Sequence, residues 1–294
     1  MKIVLNGTPE ELREFLNIND SLCLNKSIVS GGIGRFYSEI VDDEVTISNY
    51  EDILKSLPDA PGVNKETFQY DHIRDTGYFG RLSSEKFISY DGLCEVTNFE
   101  KGKLMAEDMG WLVFYFKGDI LYIPQHPIRY NISWNDINNA GLVNSSKVIQ
   151  IEDLDFEISL ITGARSNPVD DIKWSDADSE GEQLIDIGHG SIWNELIYRV
   201  HEDIPGTTDA GMNASGGPQH GDNWDNLTDE DLNINWAKCS NGTASWMQET
   251  SSSAVTYRVY RGYHRLADWD RFTASHASTH YGWRPLLRLK TKNR

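Results

Sequence analysis

From Trp236 onward the chain alternates aromatic and guanidinium side chains with Ser, Thr, Asn and His, and aliphatic residues are scarce until Leu286-Leu287. That composition restricts what the segment can become. An enzyme core of this length would draw on Val, Ile and Leu. A binding surface draws on Tyr, Trp and Arg for contact area at low entropic cost, and on short polar residues for adaptable hydrogen bonds. The alternative is the Trp-rich core of a small domain, which accounts for any single tryptophan here but poorly for the whole stretch.

Charge sets this segment apart from the rest. The chain of 294 residues carries a formal charge of −18, yet Trp236–Arg294 holds ten Lys/Arg against Glu249, Asp268 and Asp270, a net of +7, which leaves −25 elsewhere. The block from Ser166 to Asn235 holds sixteen acids against Lys173 and Arg199. An acidic segment followed by a basic one can neutralise itself in the fold, and the acidic whole argues against general binding to nucleic acid or an anionic membrane. No run of 18 apolar residues exists, and Met1–Leu5 is too short for a signal peptide, so a soluble chain made without a leader and without membrane insertion is expected. Cys23, Cys94 and Cys239 are few and far apart, which implies no disulfide framework or zinc site and fits synthesis in a reducing cytoplasm.

Taken in order, Lys2–Leu5 predicts a strand and Thr8-Pro9 a helix start, with Leu12, Phe15 and Leu16 on one face. SGGIGRF at 30–36 reads as a turn, because it lacks the spacing of a nucleotide loop. A short helix is expected from Ser48 to before Pro58. Residues 1–82 therefore read as an N-terminal attachment arm and linker. Residues 83–182 read as a β-rich segment with an acidic loop. WLVFYF and ILYIP flank a three-residue turn, Lys117-Gly118-Asp119, a hairpin signal; Ser133 caps a short helix ended by Gly141; Lys147–Ile151 and Phe156–Thr162 are further strands. Asp176, Asp178, Glu180 and Gly181 match the first half of a calcium loop, but its twelfth position is Ile187 rather than Glu, so a solvated loop is expected. A helix from Ser191 places Trp193, Leu196, Ile197 and Val200 on one side. A long Gly-rich loop spans 206–226, and Thr228 caps a last short helix.

Four stretches in this order, WLVFYFKGDILYIPQHPIRYNISWNDINNAGLV, HGSIWNELIYRV, WMQETSSSAVTYRVYRGY and YGWRPLLRL, resemble a family of bacteriophage tail or minor structural virion proteins. Their C-terminal part is similar to the C-type lectin-like fold of variable proteins from diversity-generating retroelements. The likeness runs from Leu82 to Leu289. Met247 stands where a Cys is common, Leu286 where Val is usual, and the acidic insert is additional. The resemblance implies an α+β fold with a C-type lectin-like domain at 183–294, two helices packed on small antiparallel sheets. It makes Trp193, Trp236, Trp246 and Trp283 framework, and Arg284 a fixed contact to a carboxylate or carbonyl, with Glu249 a candidate partner.

The ligand-facing candidates lie between these motifs: Tyr257, Tyr260, Tyr263, His264, Trp269, Asp270, Arg271, His276, Ser278, His280 and Tyr281. No Gly-x-Ser-x-Gly or His-Glu-x-x-His occurs, and His276 and His280 bind metal only on a helix with a third ligand. The expectation is a binding protein without catalytic residues, cofactor or metal. It would sit on the virion, as a homo-oligomer joined to other virion proteins, and bind a host-cell receptor or surface glycan. The alternative is a decoration, collar or fibre protein that uses the fold as a scaffold.

Overall fold

The computed structural model describes residues 2–3, 38–39, 43–169, 190–202, 223–239, 241–252, 254–266 and 268–290. It divides into two units, Met1–Ser56 and Leu57–Arg294. In the first, β1 (Lys2–Ile3) pairs antiparallel with β2 (Ser38–Glu39), and helix α1 spans Asp43–Ser56. The helix begins upstream of the expected Ser48 and ends two residues before Pro58, whose ring disfavours helical backbone in the residue before it. The helix start at Thr8, the turn at 30–36, the calcium-loop likeness at 176–187 and most of the Gly-rich loop lie outside the described residues.

The second unit is α+β and strand-dominated; over the molecule, strands hold 36% of residues and helices 17%, and the sheets are curled. The larger sheet is antiparallel throughout, in the order β3 (Gln69–Asp71), β4 (Thr76–Leu82), β6 (Trp111–Phe116), β7 (Asp119–Pro124), β15 (Pro285–Leu289), β10 (Leu154–Leu160), β9 (Asn144–Ile151). The smaller sheet runs β13 (Trp269–Thr273), β12 (Tyr257–Gly262), β11 (Ala244–Thr250), β14 (Tyr281–Trp283), β8 (Arg129–Tyr130), β5 (Lys103–Leu104), with β11 and β14 parallel.

Local chemistry explains the best-defined elements. Lys117 (φ 51°) and Gly118 (φ 91°) both adopt left-handed backbone between β6 and β7, the geometry that matches a two-residue turn to the strand twist. Helix α2 (Tyr90–Thr97) is capped by Ser89, which accepts from Gly92 N. Helix α3 (Trp134–Asn139) starts on a reciprocal cap between Ser133 and Asp136. The expected helix at Ser191 is a π-helical turn, Trp193–Ile197, running into the short α4 (Tyr198–Val200), with Ser191 Oγ accepting from Asn194 N. The expected helix at Thr228 is a single turn: Thr228 and Asp231 cap each other and Leu232 N donates to Thr228 O at 3.1 Å, but no longer helix follows.

Strands β6 and β7 are apolar without alternation because both faces of the larger sheet are covered. Tyr78, Leu112, Phe114, Leu121 and Ile123 join Trp193, Leu196 and Val200 of the helical segment and Met247, Val259 and Trp269 of the smaller sheet in one buried cluster. On the opposite face, Trp111 and Tyr122 pack against Phe87, and Phe87 and Tyr122 also meet Phe156.

This topology corrects two expected boundaries. The first boundary falls after Ser56 rather than at 82, since β3 and β4 belong to the larger sheet. No division falls at 182/183, because β15 inserts between β7 and β10 and one cluster spans both proposed domains. The chain passes from β14 in one sheet straight into β15 in the other, and Arg284 stands at that crossing.

Candidate functional site

Side chains alternate along a strand, so each strand of the smaller sheet has one core side and one outer side. Met247, Val259 and Trp269 lie in the core cluster. Trp246, Tyr260, Asp270 and Phe272 therefore project from the opposite face. Trp246 sits directly across from Tyr260, meeting it edge-on at 6.2 Å and stacking on Tyr281 at 4.6 Å, while Tyr260 and Tyr281 are 5.2 Å apart. Trp246 is the buried floor of this group, and its Nε1 donates to Ile132 O at 3.1 Å.

The rim is built by an unusual bend. Strand β12 ends on Gly262 at φ 78°, where a Cβ would lie 2.8 Å from Thr243 O, and continues into Tyr263 at φ 99°. A bulky residue there costs about 1–3 kcal/mol and persists only where its surroundings hold it. Here they do: Tyr263 N donates to Thr243 O at 3.0 Å, and Trp236 N donates to Tyr263 O at 2.7 Å. The bend carries the Tyr263 ring into a near-parallel stack with Trp236 at 6.3 Å and edge-on contacts with His264 at 4.4 Å and His280 at 5.3 Å. At the other end Phe272 meets His276 at 4.5 Å and Tyr281 at 6.0 Å. Trp236 is 47% exposed and Phe272 40%. The face is thus a row of rings with a buried middle and two solvent-facing ends.

A polar group sits among the rings. Tyr260 Oη donates to Asp270 Oδ2 at 3.4 Å, and Arg271 N donates to Asp270 Oδ1 at 2.7 Å. Burial pushes the Tyr281 phenol up to about 12 and the Tyr260 phenol higher, so both remain protonated donors near neutral pH. Desolvation against the rings also raises the Asp270 carboxyl, although the residue as a whole is exposed.

The structure brings Tyr260, Tyr263, His264, Asp270, His276, His280 and Tyr281 together; Ser278 lies in the same turn, its Oγ accepting weakly from His280 N at 3.4 Å. Three candidates fall elsewhere. Trp269 is core, 7% exposed, and Tyr257 and Arg271 alternate onto its side of the strands. Two residues of the face were missed. Trp236, expected as framework, is a rim ring, and Phe272 was not a candidate at all. The signal for Phe272 was available: a buried Trp269 puts residues 270 and 272 on the outer side. Trp193, Trp246 and Trp283 are fully buried.

Behind the sheet lie two fully buried arginines, Arg261 and Arg284, each with its guanidinium 5.7 Å from the Trp193 ring. Arg261 Nη1 donates to Gly163 O at 2.8 Å. Glu249 accepts from Gly163 N and Ala164 N, and burial pushes its carboxyl up to about 7 against those bonds and the Arg261 charge. The expected Arg284–Glu249 pairing is not formed: Glu249 is held by backbone N–H groups, and Arg284 donates to the Leu232 carbonyl on the Thr228 turn. Its Nε and Nη1 have no partner among the described residues, and complete burial lowers its pKa to about 10. Nearby, burial first and the Arg284 charge second lower His126 to about 4. Among the described residues, no three His, Cys, Asp or Glu side chains gather as metal ligands.

No protein-family model matches the chain, and no curated protein or solved structure matches it either.

Proposed function

We propose that the chain is a bacteriophage virion surface protein whose C-terminal part, with a C-type lectin-like arrangement, binds a host receptor or surface glycan during adsorption. It acts by binding rather than catalysis. The observation that carries this reading is the ring face of the smaller sheet. Trp236 and Phe272 stay in water at its two ends while a carboxylate and two phenols are held between them. Rings with polar tips, clustered beside a desolvated centre, are the composition of binding hot spots. The order of the four sequence stretches supports the virion assignment. The unit Met1–Ser56 is the natural attachment arm, to other virion proteins or to sister chains of a homo-oligomer.

The test is competition. Purified protein should bind cells of the propagating strain and block particle adsorption, whereas a Trp236→Ala/Phe272→Ala variant with unchanged circular dichroism should do neither. Equal competition by the variant would refute the reading in favour of a decoration, collar or fibre role, as would a particle map with this face buried against a neighbouring subunit.

A further inference from the structure

We infer that the ligand taken by the ring face is a neutral saccharide, gripped through hydroxyl groups by Asp270 and the Tyr260–Tyr281 phenols and flanked by the exposed Phe272 and Trp236 rings. This rests on the binding reading above and names its ligand class. Three observations converge on it.

The first is geometry. Asp270 and Phe272 are two residues apart on the outer side of one strand, so the carboxylate and the open ring stand side by side, roughly 6–7 Å apart along the strand. A sugar ring offers one apolar C–H face and a rim of hydroxyls, which matches an aromatic plate beside an acceptor. The second is hydrogen-bond capacity. An ionised carboxylate only accepts, and Asp270 has acceptor capacity beyond the weak 3.4 Å bond from Tyr260 and the bond from Arg271 N. Phenols both donate and accept. Together they suit neighbouring hydroxyls, which also do both.

The third is charge. Asp270 is the carboxylate bonded to the ring cluster, and an acidic ligand would have to approach it directly. The nearby cations are directed elsewhere. Arg271 alternates to the other side of the strand; Arg258 shares the outer side but lies 4.2 Å over the Trp134 ring and donates to Val255 O and Tyr257 O. Arg265 lies 3.6 Å from Asp268, and Lys238 3.1 Å from Glu230. His264, His276 and His280 add charge only when protonated.

The decisive variant is Asp270→Asn, which keeps shape and removes charge. Oligosaccharides of glucose, galactose, mannose and N-acetylglucosamine are immobilised beside uronate- and sialate-bearing counterparts, and dissociation constants are measured at pH 7.5 for wild type, Asp270→Asn, Phe272→Ala and Phe272→Tyr, each checked for an unchanged melting temperature. The wild type should bind one or more neutral probes and prefer them over acidic ones. Asp270→Asn should weaken that binding by about tenfold or more, the loss of a hydrogen bond to a charged acceptor. Phe272→Ala should weaken it as well, and Phe272→Tyr should restore it. Tighter binding by Asp270→Asn, a preference for acidic probes, or failure of a folded, cell-adsorbing protein to bind any neutral probe overturns the inference while leaving adsorption intact. Wild-type adsorption to cells by all three variants sinks the binding reading itself.

Discussion

The two sides of the six-stranded sheet share strands, backbone hydrogen bonds and an aromatic-rich composition, yet they follow opposite rules. On the core side, Met247, Val259 and Trp269 are sealed against Trp193, and even two guanidinium groups are taken out of water. On the outer side, Trp246 is buried as a floor but Trp236, Tyr263 and Phe272 rise to the surface. Residue type alone does not separate them. Trp269 and Phe272 are three residues apart on one strand. What separates them is strand parity and the bend at Gly262–Tyr263. The core side should therefore report changes as stability, and the outer side as binding.

The largest effect belongs at the centre of the core side. Trp193 is fully buried, donates from Nε1 to Leu266 O at 3.0 Å, and provides the ring faced by Arg261 and Arg284. Trp193→Ala should cost about 3–5 kcal/mol, as large-to-small changes of buried tryptophan do. Urea unfolding measures it. A cost below about 1 kcal/mol would mean that the two sides do not differ as described.

Next comes pH. Glu249 is raised to about 7 in the folded state from an ordinary 4.5. The folded state then holds a proton that the unfolded state releases, so its contribution to stability falls as pH rises from about 4.5 to 7. His126 is lowered to about 4 from 6.5, so between those values the unfolded state holds the extra proton and stability rises with pH. The two windows overlap and oppose, each on the order of 3 kcal/mol. Wild type should show a shallow profile. Glu249→Gln should uncover a rise from pH 4 to 6.5, and His126→Gln a fall from pH 4.5 to 7. Denaturant midpoints across that range decide it, and parallel profiles for both variants would refute the assignment.

Parity also explains how much could be read without coordinates. The 111–124 hairpin was legible because its turn chemistry is local: Lys117-Gly118 can take the left-handed backbone the turn demands. The Ser133 cap was legible for the same reason. The domain boundaries were not, because β15 pairs with strands more than a hundred residues earlier and no short-range pattern encodes that. Most of the candidate face was recovered from composition, since Tyr and His between motifs do gather there. Its errors, Tyr257, Trp269 and Arg271 included and Trp236 and Phe272 left out, are errors of side. One buried residue on β13 would have corrected three of them.

Smaller stability effects are expected at the two open ends of the face. Trp236→Ala and Phe272→Ala remove rings that are 47% and 40% exposed, so each should change stability by under about 1 kcal/mol. Adsorption should fall by an order of magnitude or more if either ring is an anchor. Thermal melts and cell-binding isotherms on the same preparations test both statements, and a large loss of stability with unchanged adsorption would move these rings to the structural side.

The smallest net effect should come at Tyr263, where two terms oppose. Its φ of 99° costs about 1–3 kcal/mol, and its ring recovers part of that through contacts with Trp236, Tyr260 and His280. Tyr263→Ala keeps the backbone strain and loses the ring, so it should destabilise. Tyr263→Gly loses the same ring but relaxes the strain, because glycine takes this backbone freely, so it should be about 1 kcal/mol more stable than the alanine variant and close to wild type. Both should lose binding equally, since neither presents the ring. A Gly variant no more stable than Ala would show that the bend is not strained at this position, and Gly retaining binding would show that the backbone, rather than the ring, is what the ligand meets.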